Sequence, residues 1–82
     1  MKVYLALVTH RRGENMYAAA TKKELEAKLY EYVSDSWREF MKESLLPKLQ
    51  RAAISQFFAV AKEFGAQGEF LTYDDDTIEV PV

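Results

Sequence analysis

The sequence predicts a small α+β domain: a short antiparallel sheet with two helices packed on one face, in the chain order ββααββ. Three observations predict it. Apolar residues alternate at strand period near both ends, and they recur at helical spacing through the middle. Gly13, Pro47 and Gly65 punctuate the joins between these stretches. With 82 residues, 49% hydrophobic and 29% charged, the chain has the composition of a globular protein with one core, so residues 1–82 form a single domain.

Residues 2–9 place Val3, Leu5 and Leu7 on one face and Tyr4, Ala6 and Val8 on the other. Apolar residues on both faces suit a central strand. Gly13 can take positive φ without steric cost and marks a tight turn, so Asn15 to Ala20 reads as the returning strand. Thr21-Lys22-Lys23-Glu24 is a capping box opening a helix to about Ser44. Leu25, Leu29, Tyr32, Val33, Ser36 and Phe40 form its apolar stripe, opposite a solvated face carrying Lys28, Glu31, Asp35, Arg38, Glu39 and Lys42.

Pro47 lacks an amide hydrogen and ends that helix, and Ser44 is the expected cap of a second one with Pro47 in its first turn. Leu49, Ala53, Phe57, Val60 and Phe64 repeat at helical spacing, and Gly65 is the expected left-handed stop. Residues 69–73 and 77–80 alternate at strand period. Asp74-Asp75-Asp76 between them is read as the turn of a second hairpin, with one continuous strand as the alternative.

The absence of cysteine excludes disulfides, thiolate catalysis and thiolate metal sites. Met1-Lys2 followed by a short apolar run is similar to the start of a signal peptide, but Thr9-His10-Arg11-Arg12 ends the run too early. Nothing approaches the roughly 18 apolar residues of a membrane span. A host-cell cytoplasmic location is expected. The net charge of −2 argues against generic, charge-driven binding to nucleic acid.

His10 is the only histidine, and neither a Gly-x-Ser-x-Gly elbow nor a nearby serine completes a triad with it. A His10–Glu14 acid/base pair across the hairpin is the remaining catalytic arrangement; the expectation is a protein that is not an enzyme. Asp74-Asp75-Asp76 lacks the alternating spacing and closing glutamate of a calcium loop. The three glycines form no phosphate-cradling motif. No metal or cofactor is expected.

Interaction chemistry is better represented. Arg11 and Arg12 at the hairpin tip suit carboxylates or phosphates, and Glu14 beside them adds a charged contact. Tyr30, Trp37 and Met41 lie at the margin of the first helix's stripe, and Phe58 points nearly opposite Leu49 on the second. One reading makes these residues a wide core stripe. The other makes them an apolar patch rimmed by Arg38, Lys42 and Lys62, of the composition of a protein interface, self-association included. Tyr4, Tyr17 and Tyr73 on the sheet offer stacking platforms for a nucleic-acid binder using Arg11 and Arg12.

A strand, the turn His10-Arg11-Arg12-Gly13, a second strand and a capped helix carrying Trp37 resemble small accessory proteins of phages and plasmids, including anti-CRISPR-type inhibitors. The resemblance covers roughly the first half of the chain and carries over no site residues. It implies a non-enzymatic inhibitor that occludes a surface of a host defence complex, one that processes nucleic acid. Arg11, Arg12 and Glu14 would make charged contacts, and Asp74, Asp75 and Asp76 would imitate phosphates toward a basic groove. A direct nucleic-acid binder is the alternative.

Overall fold

The computed structural model describes residues 2–79 and has the element order β1 (Lys2–His10), β2 (Gly13–Ala19), α1 (Lys22–Met41), α2 (Gln50–Ala61), a 3-10 segment (Lys62–Gln67) and β3 (Phe70–Glu79). The three strands form one antiparallel sheet in the order β2-β1-β3. The expected central place of the first strand is therefore observed. Only its Tyr4, Ala6 and Val8 face is covered by the helices.

The expected ββααββ order is corrected to ββααβ. Residues 70–79 form one strand that pairs with β1 along its length, from Thr9↔Phe70 to Lys2↔Glu79. The register shifts where Leu5↔Asp74 gives way to Val3↔Ile78, so Asp75, Asp76 and Thr77 stand opposite the single residue Tyr4. A bulge absorbs residues of poor strand propensity without ending the strand, which is why the acidic run is not a turn. Val80, the last residue of the expected second strand, lies outside the described residues, as do the side chains of Asp74, Asp75 and Asp76.

The first hairpin follows expectation. His10 pairs with Gly13, Arg11 and Arg12 form the exposed turn, and Gly13 takes φ 136°. Thr21 caps α1, its side-chain oxygen accepting from the Glu24 amide at 3.1 Å. The helix stops at Met41, short of Ser44, because Lys42 adopts positive φ. The expected Ser44 cap is also corrected. The Trp37 indole N–H captures the Ser44 carbonyl at 2.6 Å, and α2 begins only at Gln50 with Leu49 as its uncapped boundary residue. Tyr30 secures the same connection by donating its hydroxyl hydrogen to the Pro47 carbonyl at 3.2 Å.

Both helices cover the same face of the sheet. Ala6, Val8 and Ala19 from the strands meet Leu25, Leu29, Val33 and Trp37 of α1 and Ala53, Ile54, Phe57, Phe58 and Ala61 of α2. Phe57, fully buried, is the hub: Phe40, Phe58 and Tyr32 meet it edge-on, and Trp37 meets it at a tilt. Burying rings of this size supplies much of the apolar area a chain this short needs. On β2, the free edge is partly closed by Lys28 of α1, which donates to the Ala18 carbonyl at 2.6 Å.

Candidate functional site

The antiparallel register sorts every strand residue to one side of the sheet, because directly paired residues share a face. Tyr4, Ala6 and Val8 face the helices, together with their partners Ala19, Tyr17, Asn15, Tyr73 and Leu71. The other face carries the rows Phe70–Thr9–Glu14 and Thr72–Leu7–Met16, with Leu5–Ala18 and Val3 beyond them. No element of the described residues covers this second face. Met16 is 71% exposed on it and Phe70 43%, while Leu5 and Leu7 are half-buried between them. A shallow cavity of about 370 Å³ lies over Leu5, Leu7, Met16 and Thr72.

This sorting rearranges the expected site residues. His10 lies on the helix side and Glu14, opposite Thr9, lies on the open side, so the sheet separates the His10–Glu14 pair instead of forming it. Both ring nitrogens of His10 are engaged elsewhere. Nδ1 accepts from the Arg12 amide at 3.2 Å, which leaves the proton on Nε2 to donate to Asn15 Oδ1 at 3.3 Å. Asn15 Nδ2 in turn donates to the Tyr17 hydroxyl at 3.4 Å. His10 thus braces the turn that presents Arg11 and Arg12. Tyr4, Tyr17 and Tyr73 all belong to the helix side, so they form no stacking platform on the open face.

Arg11 and Arg12 stand exposed at the lip of a polar cleft of about 260 Å³ between the hairpin and α1. Arg11 approaches Glu39 of α1 at 3.5 Å, with both side chains substantially exposed, so this pair orients the tip without much stabilising it. Among the described residues Arg12 makes no ion pair. At the inner end lies Glu69, which is 5% exposed and accepts a hydrogen bond from the Tyr32 hydroxyl. Burial pushes the Tyr32 phenol well above its usual range, and the Glu69 carboxylate adds to this through the hydrogen bond and its charge.

Glu69 and Tyr32 had no place among the residues expected in the site. The only sequence signal was a charged residue at the entrance of an alternating run, a pattern that equally suits a solvated strand end. The structure fixes Glu69 through its amide, which bonds to the carbonyl of Ala61, the last residue of α2, at 3.3 Å. The open-face residues Leu5, Leu7, Met16 and Phe70 were legible as alternation. Which side of that alternation would stay bare was not.

Of the two readings of the helix residues, the wide core stripe is observed for Trp37 and Phe58, and the interface reading of these two is corrected. Trp37 is 4% exposed and Phe58 7%, and both belong to the core, with Phe58 stacked parallel to Tyr32 at 6.5 Å. Tyr30 and Met41 are partly buried against that core. The reason is rotation of α2. Its buried face is Ala53, Ile54, Phe57, Phe58 and Ala61, while Leu49 falls outside the helix and is 70% exposed. The backbone of Asp74–Asp76 places those residues on the edge strand beside the sheet's open rows.

No family model, curated protein or solved structure matches this chain. Among the described residues no group of histidine and acidic side chains has the geometry to hold a metal ion, and no helix is long and apolar enough to cross a membrane.

Proposed function

We propose that this protein is a non-enzymatic protein-binding module that occludes a surface on a larger partner, using the open sheet face and the Arg11-Arg12 lip. The observation that supports this reading is the one-sided sheet: Leu5, Leu7, Met16 and Phe70 share a face that neither helix covers. A contiguous apolar patch beside charged residues is the composition of an interaction surface. Three strands about 4.8 Å apart, each contributing some seven residues at ~3.3 Å, present roughly 330 Å². A stable interface needs about 800 Å² per partner, so the patch is the centre of a contact completed by its rim. Glu14 on the face itself and the exposed Arg12 at the hairpin tip supply charged groups for that rim, while Arg11 turns toward Glu39 of α1. The partner is therefore an apolar surface with a carboxylate positioned for a guanidinium group at the hairpin tip.

The resemblance to phage and plasmid inhibitors directs the search for that partner to host defence complexes. The experiment is capture from host lysate with the wild-type chain, Met16→Glu and an Arg11→Ala/Arg12→Ala double variant, each checked for an unchanged melting curve. Both variants are expected to lose the same captured protein. Retention by both removes the reading. A gel shift at low and high salt separates the nucleic-acid alternative, because phosphate-driven binding must weaken steeply with salt. A concentration-dependent mass in sedimentation would replace the foreign partner with a second copy of the chain.

A further inference from the structure

The polar cleft between the hairpin and α1 ends on a carboxylate that the fold leaves half-partnered. Thr9 pairs with Phe70, so the next residues, His10 and Glu69, come abreast on the helix side of the sheet. The Glu69 side chain, 5% exposed, thus lies at the inner end of the cleft against Tyr32 of α1. Its Oε1 accepts from the Tyr32 hydroxyl. Among the described residues no donor meets Oε2, yet no fully buried side-chain oxygen lacks a partner, so Oε2 opens into the cleft. A carboxylate withdrawn from water with one neutral donor is costly to hold.

The surrounding groups do not relieve it. His10 is bonded to the Arg12 amide and to Asn15, and Asn15 to Tyr17. Arg11 is paired with Glu39, while Arg12 stands exposed at the lip with no ion pair among the described residues. One negative group at the inner end and one positive group at the outer end remain. Asp74, Asp75 and Asp76 do not enter this balance. Leu5↔Asp74 lies four residues along β1 from Thr9↔Phe70, roughly 13 Å away, and the acidic run continues away from the cleft.

We infer that the cleft is a binding site for a small zwitterion, an ammonium and a carboxylate joined by a short chain. The ammonium donates to Glu69 Oε2 and the carboxylate accepts from the Arg12 guanidinium, a charge-assisted contact at each end. A simple cation would have to pass two arginines, and a simple anion would leave Glu69 half-partnered. The volume of about 260 Å³ admits a molecule of amino-acid size and no folded segment of a protein. The site lies on the helix side of the sheet and shares only the Arg11-Arg12 lip with the proposed function.

The test is a titration of isotope-labelled protein with glycine, β-alanine and γ-aminobutyrate, with propylamine and propionate as single-charge controls, at constant ionic strength. Saturable shifts at the amides of Asn15, Tyr32 and Glu69 are expected with at least one zwitterion, bound about tenfold or more tightly than either control. Glu69→Gln, which keeps an oxygen for the Tyr32 hydroxyl, should weaken that binding about tenfold or more. So should Arg12→Gln, an exposed change that keeps the backbone amide bonded to His10. No binding by any zwitterion, equal binding of a control, binding unchanged in either variant, or shifts confined elsewhere would each overturn the inference. If Glu69→Gln does not fold, Arg12→Gln decides. Met16→Glu should bind the zwitterion like wild type. If every zwitterion fails while Met16→Glu still loses its lysate partner, the cleft inference falls and the proposed function stands.

Discussion

Lys42 and Gly65 hold nearly the same backbone conformation, φ 54°, ψ −116° for the lysine and φ 61°, ψ −124° for the glycine. Glycine reaches this region without penalty, whereas a residue with a Cβ is strained there. The two positions close corresponding features: Lys42 ends α1, and Gly65 turns the chain after α2 toward β3. The strain at Lys42 is offset by the anchors just beyond it, the Trp37–Ser44 and Tyr30–Pro47 hydrogen bonds.

Lys42→Gly is accordingly expected to stabilise the fold by about 0.5–1 kcal/mol, since Lys42 is exposed and relief of its strain outweighs the added freedom of the unfolded chain. Gly65→Ala should destabilise by about 1 kcal/mol or more, although the space an added Cβ would enter is open. Urea titration of both variants checks the pair. Destabilisation by Lys42→Gly would show that the helix end is held in another conformation.

The Tyr32–Glu69 hydrogen bond should matter more than any surface ion pair. Tyr32→Phe leaves a buried carboxylate without this donor and is expected to cost about 1–3 kcal/mol in chemical denaturation at neutral pH. Replacing both partners, as in Tyr32→Phe/Glu69→Leu, should recover part of the loss. A double variant no more stable than Tyr32→Phe would mean that Glu69 is held by other groups.

The same pair sets an alkaline limit. The Tyr32 phenol is raised in the folded state by burial and by Glu69, and that of Tyr73 by burial and Glu26, so both stay neutral in the fold where the unfolded chain has ionised. Above the ordinary tyrosine value near 10, the unfolded state releases protons that the folded state retains, and stability falls as pH rises. Below that value the two tyrosines contribute no pH dependence. Unfolding measured at steps from pH 8 to 11 (from about two units below that value to about one above it) should show this decline, and Tyr32→Phe should make it shallower. An unchanged slope in the variant would place the alkaline loss elsewhere.

Trp37 gives a direct optical check on the core. At 4% exposure its emission should be blue-shifted in the folded protein and move red on unfolding. Trp37→Ala should cost about 3–5 kcal/mol, from the cavity beside Phe57 and the freed Ser44 carbonyl. Solvent-like emission from the native protein would return Trp37 to the surface.

Met16→Glu, by contrast, is expected to leave stability within about 0.5 kcal/mol, because the side chain is 71% exposed and packs on no helix. A larger loss in a thermal melt would mean that the open face is covered in the isolated protein.

The sequence by itself determined the elements made of local interactions. The Thr21 cap, the Arg11-Arg12 turn closed by Gly13, and the Leu25–Leu29–Val33 stripe depend on neighbours within a few residues, so their signals are contained in the chain. Apolar residues on both faces of the first strand also pointed to its central place, which is observed although one of those faces stays bare. Tertiary structure decided the rest. Asp74–Asp76 has the composition of a turn, yet β1 offers an unpaired edge along its whole length, and a bulge keeps the chain on that edge. Trp37 lies at the margin of the first helix's stripe and Phe58 opposite Leu49, positions that suit core or surface, and packing of α2 on α1 puts both in the core. Glu69 meets Tyr32 across 37 residues of sequence separation. Which sheet face stays bare follows from which side both helices choose, and that is a property of packing that no single strand contains.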